Sequence, residues 1–146
     1  MKRLILLDTH AIIHRAYHAL PPLTTPNGEP VNAVYGFISI LLRILRELSP
    51  VYIAAASDLP GPTFRHEVSD AYKAQRPEAA EDLVSQFAKV KEALGALGIA
   101  MFEKEGYEAD DIIGAIAEKF KKDKSIEIIV VTGDADAFQL VRPRLR

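Results

Sequence analysis

Four short apolar runs, separated by stretches with helical periodicity, constrain the fold of this chain more than any other feature of its sequence. The runs are residues 4–7, 51–56, 99–102 and 126–131. Each has the length of a buried strand rather than of a helix. Three amphipathic stretches with helical spacing lie between the runs, at residues 34–48, 81–97 and 108–120. A further stretch, residues 11–20, is predicted to be helical or irregular. Strands that alternate with helices form βαβ units, so we predict an α/β fold with a parallel sheet.

The length and composition predict a single globular domain in a reducing compartment. The chain has 146 residues, of which 49% are hydrophobic and 26% are charged. It has no cysteine, which excludes disulfides and thiolate metal sites and favours the cytoplasm. The first apolar run stops at Asp8, too soon for a secretory signal or a membrane span, so we expect no membrane partner. The net charge of −2 does not by itself suggest a nucleic-acid partner.

Two segments have the composition of loops. Residues 21–32 contain four prolines and the turn pair Asn27-Gly28, which predicts a surface loop that is a candidate for mobility. Residues 64–77 are polar and of mixed charge, and we interpret them as an arch or lid.

Acidic residues follow the predicted strands at the point where each strand ends. Asp8, Asp58 and Asp134 follow three of them, and a Glu-Ala-Asp-Asp cluster lies after the other, at a predicted helix start. Ligands of open parallel sheets bind outside the carboxyl ends of the strands. So many carboxylates would repel one another unless divalent cations were bound, and oxygen ligands select Mg²⁺, Mn²⁺ or Ca²⁺ over Zn²⁺. The candidate ligands are Asp8, Asp58, Glu108, Asp110, Asp111, Asp134 and Asp136.

Each acid also has a simpler interpretation. An acid at a strand end is often a turn residue, and one before a helix is often a cap or a partner of the helix dipole. For any single residue this is the more common case. The combined patterns Glu108-Ala109-Asp110-Asp111 and Gly133-Asp134-Ala135-Asp136 exceed what capping requires, however, and favour a metal site.

A series of short motifs, in order along the chain, resembles the 5′ nuclease domain of bacterial DNA polymerase I and the related flap endonucleases. The motifs are Leu7-Asp8, His14-Arg15-Ala16-Tyr17-His18-Ala19, Pro21-Pro22-Leu23-Thr24, Ala33-Val34-Tyr35-Gly36, Asp58, Thr63-Phe64-Arg65, Tyr72-Lys73-Ala74-Gln75-Arg76-Pro77, Glu108-Ala109-Asp110-Asp111, Thr132-Gly133-Asp134-Ala135-Asp136 and Gln139-Leu140-Val141. The resemblance runs essentially from end to end. It implies a PIN-like, resolvase-like domain over residues 1–146, with helices on both faces of the sheet and a helical arch.

The resemblance also implies a function and a role for individual residues. The implied activity is that of a 5′-3′ exonuclease or 5′-flap endonuclease that hydrolyses DNA in replication and repair, with two Mg²⁺ or Mn²⁺ ions. A DNA polymerase, in cis or in trans, is an implied partner. The implied ligands of the first ion are Asp8, Asp58, Glu108, Asp110 and Asp111, and those reaching toward the second are Asp134 and Asp136. Lys73 and Arg76 would lie on the arch against the scissile phosphate. The 5′ strand would be held by Arg15, Tyr17, Phe64 and Arg65, and Tyr72 is a further candidate to stack on bases.

Some of these residues have ordinary alternatives. Lys73 and Arg76, taken alone, read as a solvated helix face, and core packing suits Tyr17 and Phe64 as well as base stacking does. The four histidines of the chain resemble a metal-binding cluster at first sight: His10, His14, His18 and His66. We do not assign them to a metal, because the sites implied by the resemblance contain only oxygen ligands.

The resemblance also leads to an expectation about what lies beyond Arg146. The family continues into a helix-hairpin-helix region that grips duplex DNA and supplies two further aspartates. We therefore expect this sequence to represent a truncated or split gene, or a fragment, with the first metal site intact and the second weakened. Two alternatives to an active 5′ nuclease follow: a catalytically incomplete fragment that binds DNA or metal, and a PIN-type ribonuclease.

Overall fold

The computed structural model describes residues 1–58 and 81–133, and in this part of the chain strands and helices alternate as the sequence predicts. The elements are β1 (Lys2–Asp8), α1 (Thr9–Ala19), α2 (Asn32–Leu48), β2 (Tyr52–Ala56), α3 (Glu81–Ala96), β3 (Ala100–Phe102), α4 (Ala109–Phe120) and β4 (Ile126–Val131). The predicted arch, 64–77, lies outside the described residues and stays a prediction.

The four strands form a parallel sheet with the order β3-β2-β1-β4. Strand β1 lies inside the sheet, where Ile5, Leu6 and Leu7 are at most 1% exposed. The register pairs Asp8 with Ala56 at the end of β2. As a result, Asp8 and the residues that follow β2 lie at the same edge of the sheet.

Helices cover both faces of the sheet, which confirms the predicted fold class. Alternate residues of β1 face opposite sides. Ile5 and Leu7 belong to a core cluster with residues of α1, α2 and α3, including Phe37 and Leu94. On the other side, Leu4 and Leu6 belong to a smaller cluster with α4, whose main contribution is Ile113.

The stretch predicted to be helical or irregular after β1 is a regular helix that begins immediately after the strand. Asp8 is the N-cap of α1, and its Oδ1 accepts a hydrogen bond from the backbone N–H of Ala11 at 3.2 Å. The chain therefore passes from strand to helix without an intervening loop, because the acid at the strand end also starts the helix.

The predicted loop after α1 is held by contacts within the loop and by a hydrogen bond to α3. Thr24 and Pro30 form an isolated antiparallel bridge, and Gly28, with φ of 83°, donates its N–H to the Thr25 carbonyl oxygen at 2.8 Å. The positive φ explains the glycine in the predicted Asn27-Gly28 turn. Lys89 of α3 donates to the Pro30 carbonyl oxygen at 3.4 Å, which ties the loop to the helix.

The N-terminus of α2 is capped by a side chain from another helix. Val31, the N-cap residue, makes no side-chain capping bond. Instead, Gln86 of α3, which is 0% exposed, accepts hydrogen bonds through Oε1 from the N–H groups of Ala33 at 2.7 Å and Val34 at 3.1 Å. Its Nε2 donates to Asn32 Oδ1 and to the Asp82 carbonyl oxygen, both at 2.9 Å. This buried amide joins the starts of α2 and α3.

Helices α1 and α2 pack closely because Gly36 has no side chain. A Cβ atom at this position would lie 2.7 Å from the Ala16 Cβ atom, which is closer than carbon atoms tolerate.

Among the described residues, no helix combines the length and hydropathy needed to cross a membrane.

Candidate metal site

The start of α4 is fixed by carboxylates. Glu108 is the N-cap residue, and its backbone N–H donates to Asp111 Oδ2 at 2.9 Å, as in a capping box. The next N–H group, of Ala109, donates to Oδ1 of Asp58 at 2.6 Å. Asp58 follows β2, so this bond joins the end of a strand to the start of a helix 51 residues further along the chain.

Three of the predicted acids lie close together at this helix start. Glu108, Asp110 and Asp111 each offer a carboxylate oxygen within 4.8 Å of the other two. Glu108 is 5% exposed and the other two are half-buried. Glu108 Oε1 and Asp110 Oδ1 are shielded from solvent. The cluster is therefore compact and partly removed from water.

The electrostatics of this cluster favour a bound cation. Two like charges at such a separation repel by on the order of 3 kcal/mol at an effective dielectric constant of about 20. The dipole at the N-terminus of α4 stabilises each acid by about 0.3–1 kcal/mol, which is too little to cancel the repulsion among three carboxylates. The ligand set is made of oxygen atoms alone, which suits a hard divalent cation. The residues present thus fit a divalent metal ion.

Asp8 is held at the end of the neighbouring strand. It is 4% exposed, and while Oδ1 caps α1, Oδ2 accepts a hydrogen bond from Thr132 Oγ1 at 2.9 Å. Thr132 follows β4, so this bond joins the ends of two adjacent strands. Sequence reasoning did not single out Thr132 for this role, although its place directly after a strand is a usable signal.

The structure thus distributes the predicted ligands over one edge. Glu108, Asp110 and Asp111 form a single group, and Asp58 contacts that group's helix through Ala109. Asp8 lies at the end of the strand next to β2 and is not part of the group found within 4.8 Å among the described residues. Other predicted site residues lie outside the described residues, and these are Phe64, Arg65, Tyr72, Lys73, Arg76, Asp134 and Asp136.

The two predicted DNA-contacting residues of α1 have different surroundings. Arg15 is exposed. Tyr17 is half-buried against the core, and its hydroxyl group donates to both carboxylate oxygens of Asp82, each at 2.8 Å. This hydrogen bond, together with burial and the negative charge of Asp82, raises the pKa of the Tyr17 phenol above its ordinary value. Tyr17 thus also joins α1 to α3. The sequence did not predict this role, because Tyr17 and Asp82 are far apart in the chain.

Residues 3–146 match the family model described as the 5′-3′ exonuclease, N-terminal resolvase-like domain. This chain belongs to that family. It is 43% identical over 143 residues to the thermostable DNA polymerase I of Thermus aquaticus, an alignment that covers 98% of this chain and 17% of the polymerase. It is 40% identical over 141 residues to the 5′-3′ exonuclease of Aquifex aeolicus, covering 97% of this chain and 48% of the relative. The exonuclease-family chain therefore spans less than half the length of either relative.

Two structures of a bacteriophage T5 protein have the same fold as this exonuclease-family domain. One, co-crystallised with metal ions, gives a TM-score of 0.73 at 19% identity and covers 99% of this chain and 54% of the T5 chain. The other is the T5 flap endonuclease in a pseudo-enzyme-product complex with DNA and metal ions, with a TM-score of 0.67 at 19% identity, covering 99% of this chain and 53% of the T5 chain. At this identity the likeness concerns the fold.

Proposed function

We propose that this chain is the catalytic part of a metal-dependent 5′ nuclease that hydrolyses DNA phosphodiesters as a 5′-3′ exonuclease or 5′-flap endonuclease. The observation that carries the proposal is the group formed by Glu108, Asp110 and Asp111 at the carboxyl edge of the parallel sheet. Family membership and relatives named as a 5′-3′ exonuclease and as DNA polymerase I support the same reaction.

The proposed ions are Mg²⁺ or Mn²⁺, two per site. When bound, such a pair supplies a clamp on the attacking and leaving oxygens of the phosphodiester and lowers the pKa of a bound water. Glu108, Asp110 and Asp111 would hold the first ion together with Asp8 and Asp58. The pair that would reach toward the second ion is Asp134 and Asp136. The all-oxygen ligand set supports Mg²⁺ and Mn²⁺ over softer ions.

The backbone contacts of Asp8 and Asp58 give these acids a positioning role. Each uses one carboxylate oxygen to accept a backbone N–H, which limits rotation of the carboxylate. Thr132 restrains the second oxygen of Asp8. Ligands whose orientation is set before the ion binds lose less conformational entropy on binding, so these contacts favour a preorganised site.

The proposed roles of the basic and aromatic residues concern the DNA strand. Lys73 and Arg76 would bind the scissile phosphate and stabilise negative charge that develops there, with a bidentate option for Arg76. The 5′ strand would be held by Arg15, Tyr17, Phe64, Arg65 and Tyr72. A DNA polymerase in the same chain or in a separate one is the proposed partner.

The test is cleavage of a labelled 5′-flap DNA in Mg²⁺ or Mn²⁺ by the wild-type chain, Asp110→Ala and Lys73→Ala. We expect cleavage near the flap junction, with a loss of about 100-fold or more in each variant, the scale of losing one transition-state contact. Glu81→Gln removes an exposed acid from the first turn of α3 and serves as the matched control. Activity that is equal in Asp110→Ala and wild type would contradict the assignment.

Two other results would redirect the proposal. A wild-type chain that cuts single-stranded RNA in preference to flapped DNA would indicate a PIN-type ribonuclease. A chain that binds metal through Asp110 but cuts neither substrate would indicate an incomplete half-site. In that case, a family C-terminal segment added in trans or by fusion should restore cleavage.

A further inference from the structure

Two histidines of α1 face each other across one helical turn, close to the acidic edge. The Nε2 atoms of His10 and His14 lie 3.1 Å apart, and the two rings are 4.7 Å apart between centroids. Residues at this spacing lie on the same face of a helix, and a pair of histidines four residues apart on one face is a common way to bind a transition metal.

The distance between the two nitrogen atoms suits a shared metal ion. A zinc ion binds imidazole nitrogen at about 2.0–2.1 Å. Two such ligands on one tetrahedral or octahedral ion are therefore separated by about 2.9–3.4 Å, according to the angle between them. The observed 3.1 Å lies inside this interval and is also a hydrogen-bond distance, so an ion would replace the proton between the two nitrogens and the donor ring would change its tautomer.

The surroundings of His10 orient its ring for this role. Nδ1 of His10 lies 3.9 Å from Asp58 Oδ2, which is longer than a hydrogen bond, while Nε2 lies beside His14. A carboxylate in this position favours the tautomer that leaves the opposite nitrogen for the metal once it comes within hydrogen-bond distance of Nδ1. The Phe87 ring stacks on His10 at 4.7 Å and lies 5.7 Å from His14, which restricts both imidazoles.

Contrary to the expectation from the sequence, we propose that His10 and His14 form a two-nitrogen site for a divalent transition ion such as Zn²⁺, with water completing its coordination. This site adjoins the proposed oxygen site, because Asp58 lies next to both. It selects a different class of ion, since imidazole binds Zn²⁺, Ni²⁺ and Cu²⁺ in preference to Mg²⁺. The His10 side chain is 37% exposed, which leaves a path for the ion. The site does not depend on the proposed nuclease activity.

The experiment is a Zn²⁺ titration of the ¹⁵N-labelled full chain in saturating Mg²⁺, followed through the ring nitrogen resonances of the histidines. We expect the Nε2 resonances of His10 and His14 to shift together and to saturate at one equivalent of Zn²⁺. His14→Ala and His14→Gln should weaken the effect at His10 by at least about tenfold, since even outer partners of metal ligands carry that much affinity. His18→Ala, an exposed histidine on the same helix, is the matched control and should change nothing.

Two results would overturn the proposal. If neither Nε2 resonance shifts saturably in the wild-type chain, the two rings share only a hydrogen bond. If His10 responds equally in wild type and in His14→Gln, the ion is bound without His14 and no chelate exists. Circular dichroism of each variant verifies the fold, and the wild-type titration decides the question even if a variant fails to fold.

Discussion

The N-termini of α2 and α4 solve the same physical problem with opposite chemistry. Both helices begin with backbone N–H groups that have no partner within the helix. At α2, one neutral and fully buried amide, Gln86, accepts two of these groups. At α4, the carboxylates of Asp58 and Asp111 accept one N–H each. Glu108 forms a capping box with Asp111, and Asp110 adds a further negative charge within the same few ångströms.

The difference separates capping from a functional site. A neutral amide satisfies a buried helix start without any charge, so the need for a cap does not explain four acids around α4. The excess carboxylates raise the energy of the metal-free protein and lower that of a cation-bound one. We therefore interpret α2 as optimised for stability and α4 as optimised for binding an ion.

The largest effect on stability is expected at α2. Gln86→Leu leaves the N–H groups of Ala33 and Val34 without their acceptor, and each unsatisfied buried group costs about 1–3 kcal/mol. The free energy of unfolding, measured by denaturant titration, should fall by about 2–6 kcal/mol, the sum for the two groups. Glu92→Gln, an exposed change on the same helix, should stay within about 0.5 kcal/mol of wild type. A loss below about 1 kcal/mol in Gln86→Leu would show that water or another group replaces the amide.

A pair of substitutions at Asp111 should separate capping from charge at α4. Asp111→Asn keeps an oxygen for the Glu108 N–H group but removes the charge, whereas Asp111→Ala removes both. In metal-free buffer we expect the alanine variant to be about 1 kcal/mol less stable than the asparagine variant. Calorimetric titration should show weaker Mg²⁺ binding in both. If Asp111→Asn binds Mg²⁺ as tightly as wild type does, Asp111 acts only as a helix cap and not as a metal ligand.

The smallest effect is expected at Tyr17. Its pKa is raised in the folded protein, mainly by the hydrogen bond to Asp82, so the phenol stabilises the fold while it is protonated. This contribution is present below the ordinary tyrosine pKa of about 10 and is lost as the pH rises through the higher folded value. Tyr17→Phe should therefore be slightly less stable than wild type at neutral pH, with a gap that closes in strong alkali.

Thermal unfolding of wild type and Tyr17→Phe between neutral and alkaline pH measures this gap. Tyr35→Phe, at a well exposed tyrosine of α2, provides the comparison. If the gap between wild type and Tyr17→Phe widens as the pH rises, the sign of the assignment is wrong.

Local patterns in the sequence predicted the elements and the acidic edge. Strand runs and amphipathic spacing fall within a residue or two of the observed bounds, because burial of one helix face or both strand faces leaves a periodic signal. The gathering of Glu108, Asp110 and Asp111 needed only their spacing at a helix start. These are properties of neighbouring residues.

Contacts between residues distant in sequence could not be predicted. The spacing of Gln86 from Leu83 and Val90 places it on the buried face of α3, yet nothing in the pattern shows that its partners are the N–H groups of α2. The same holds for Tyr17 with Asp82 and for Thr132 with Asp8. A residue type indicates what a side chain can bind, and only the packing of the elements brings the partner within reach.

The most direct test of the metal site is unfolding of wild type, Asp110→Asn and Glu81→Gln with and without Mg²⁺. The account predicts that Mg²⁺ at about one hundred times its dissociation constant stabilises wild type and Glu81→Gln by about 2.7 kcal/mol, and Asp110→Asn by far less. Without Mg²⁺, Asp110→Asn should be at least as stable as wild type, because one repelling charge is gone. Equal stabilisation of all three proteins by Mg²⁺, or of none, would contradict a cation site at the start of α4.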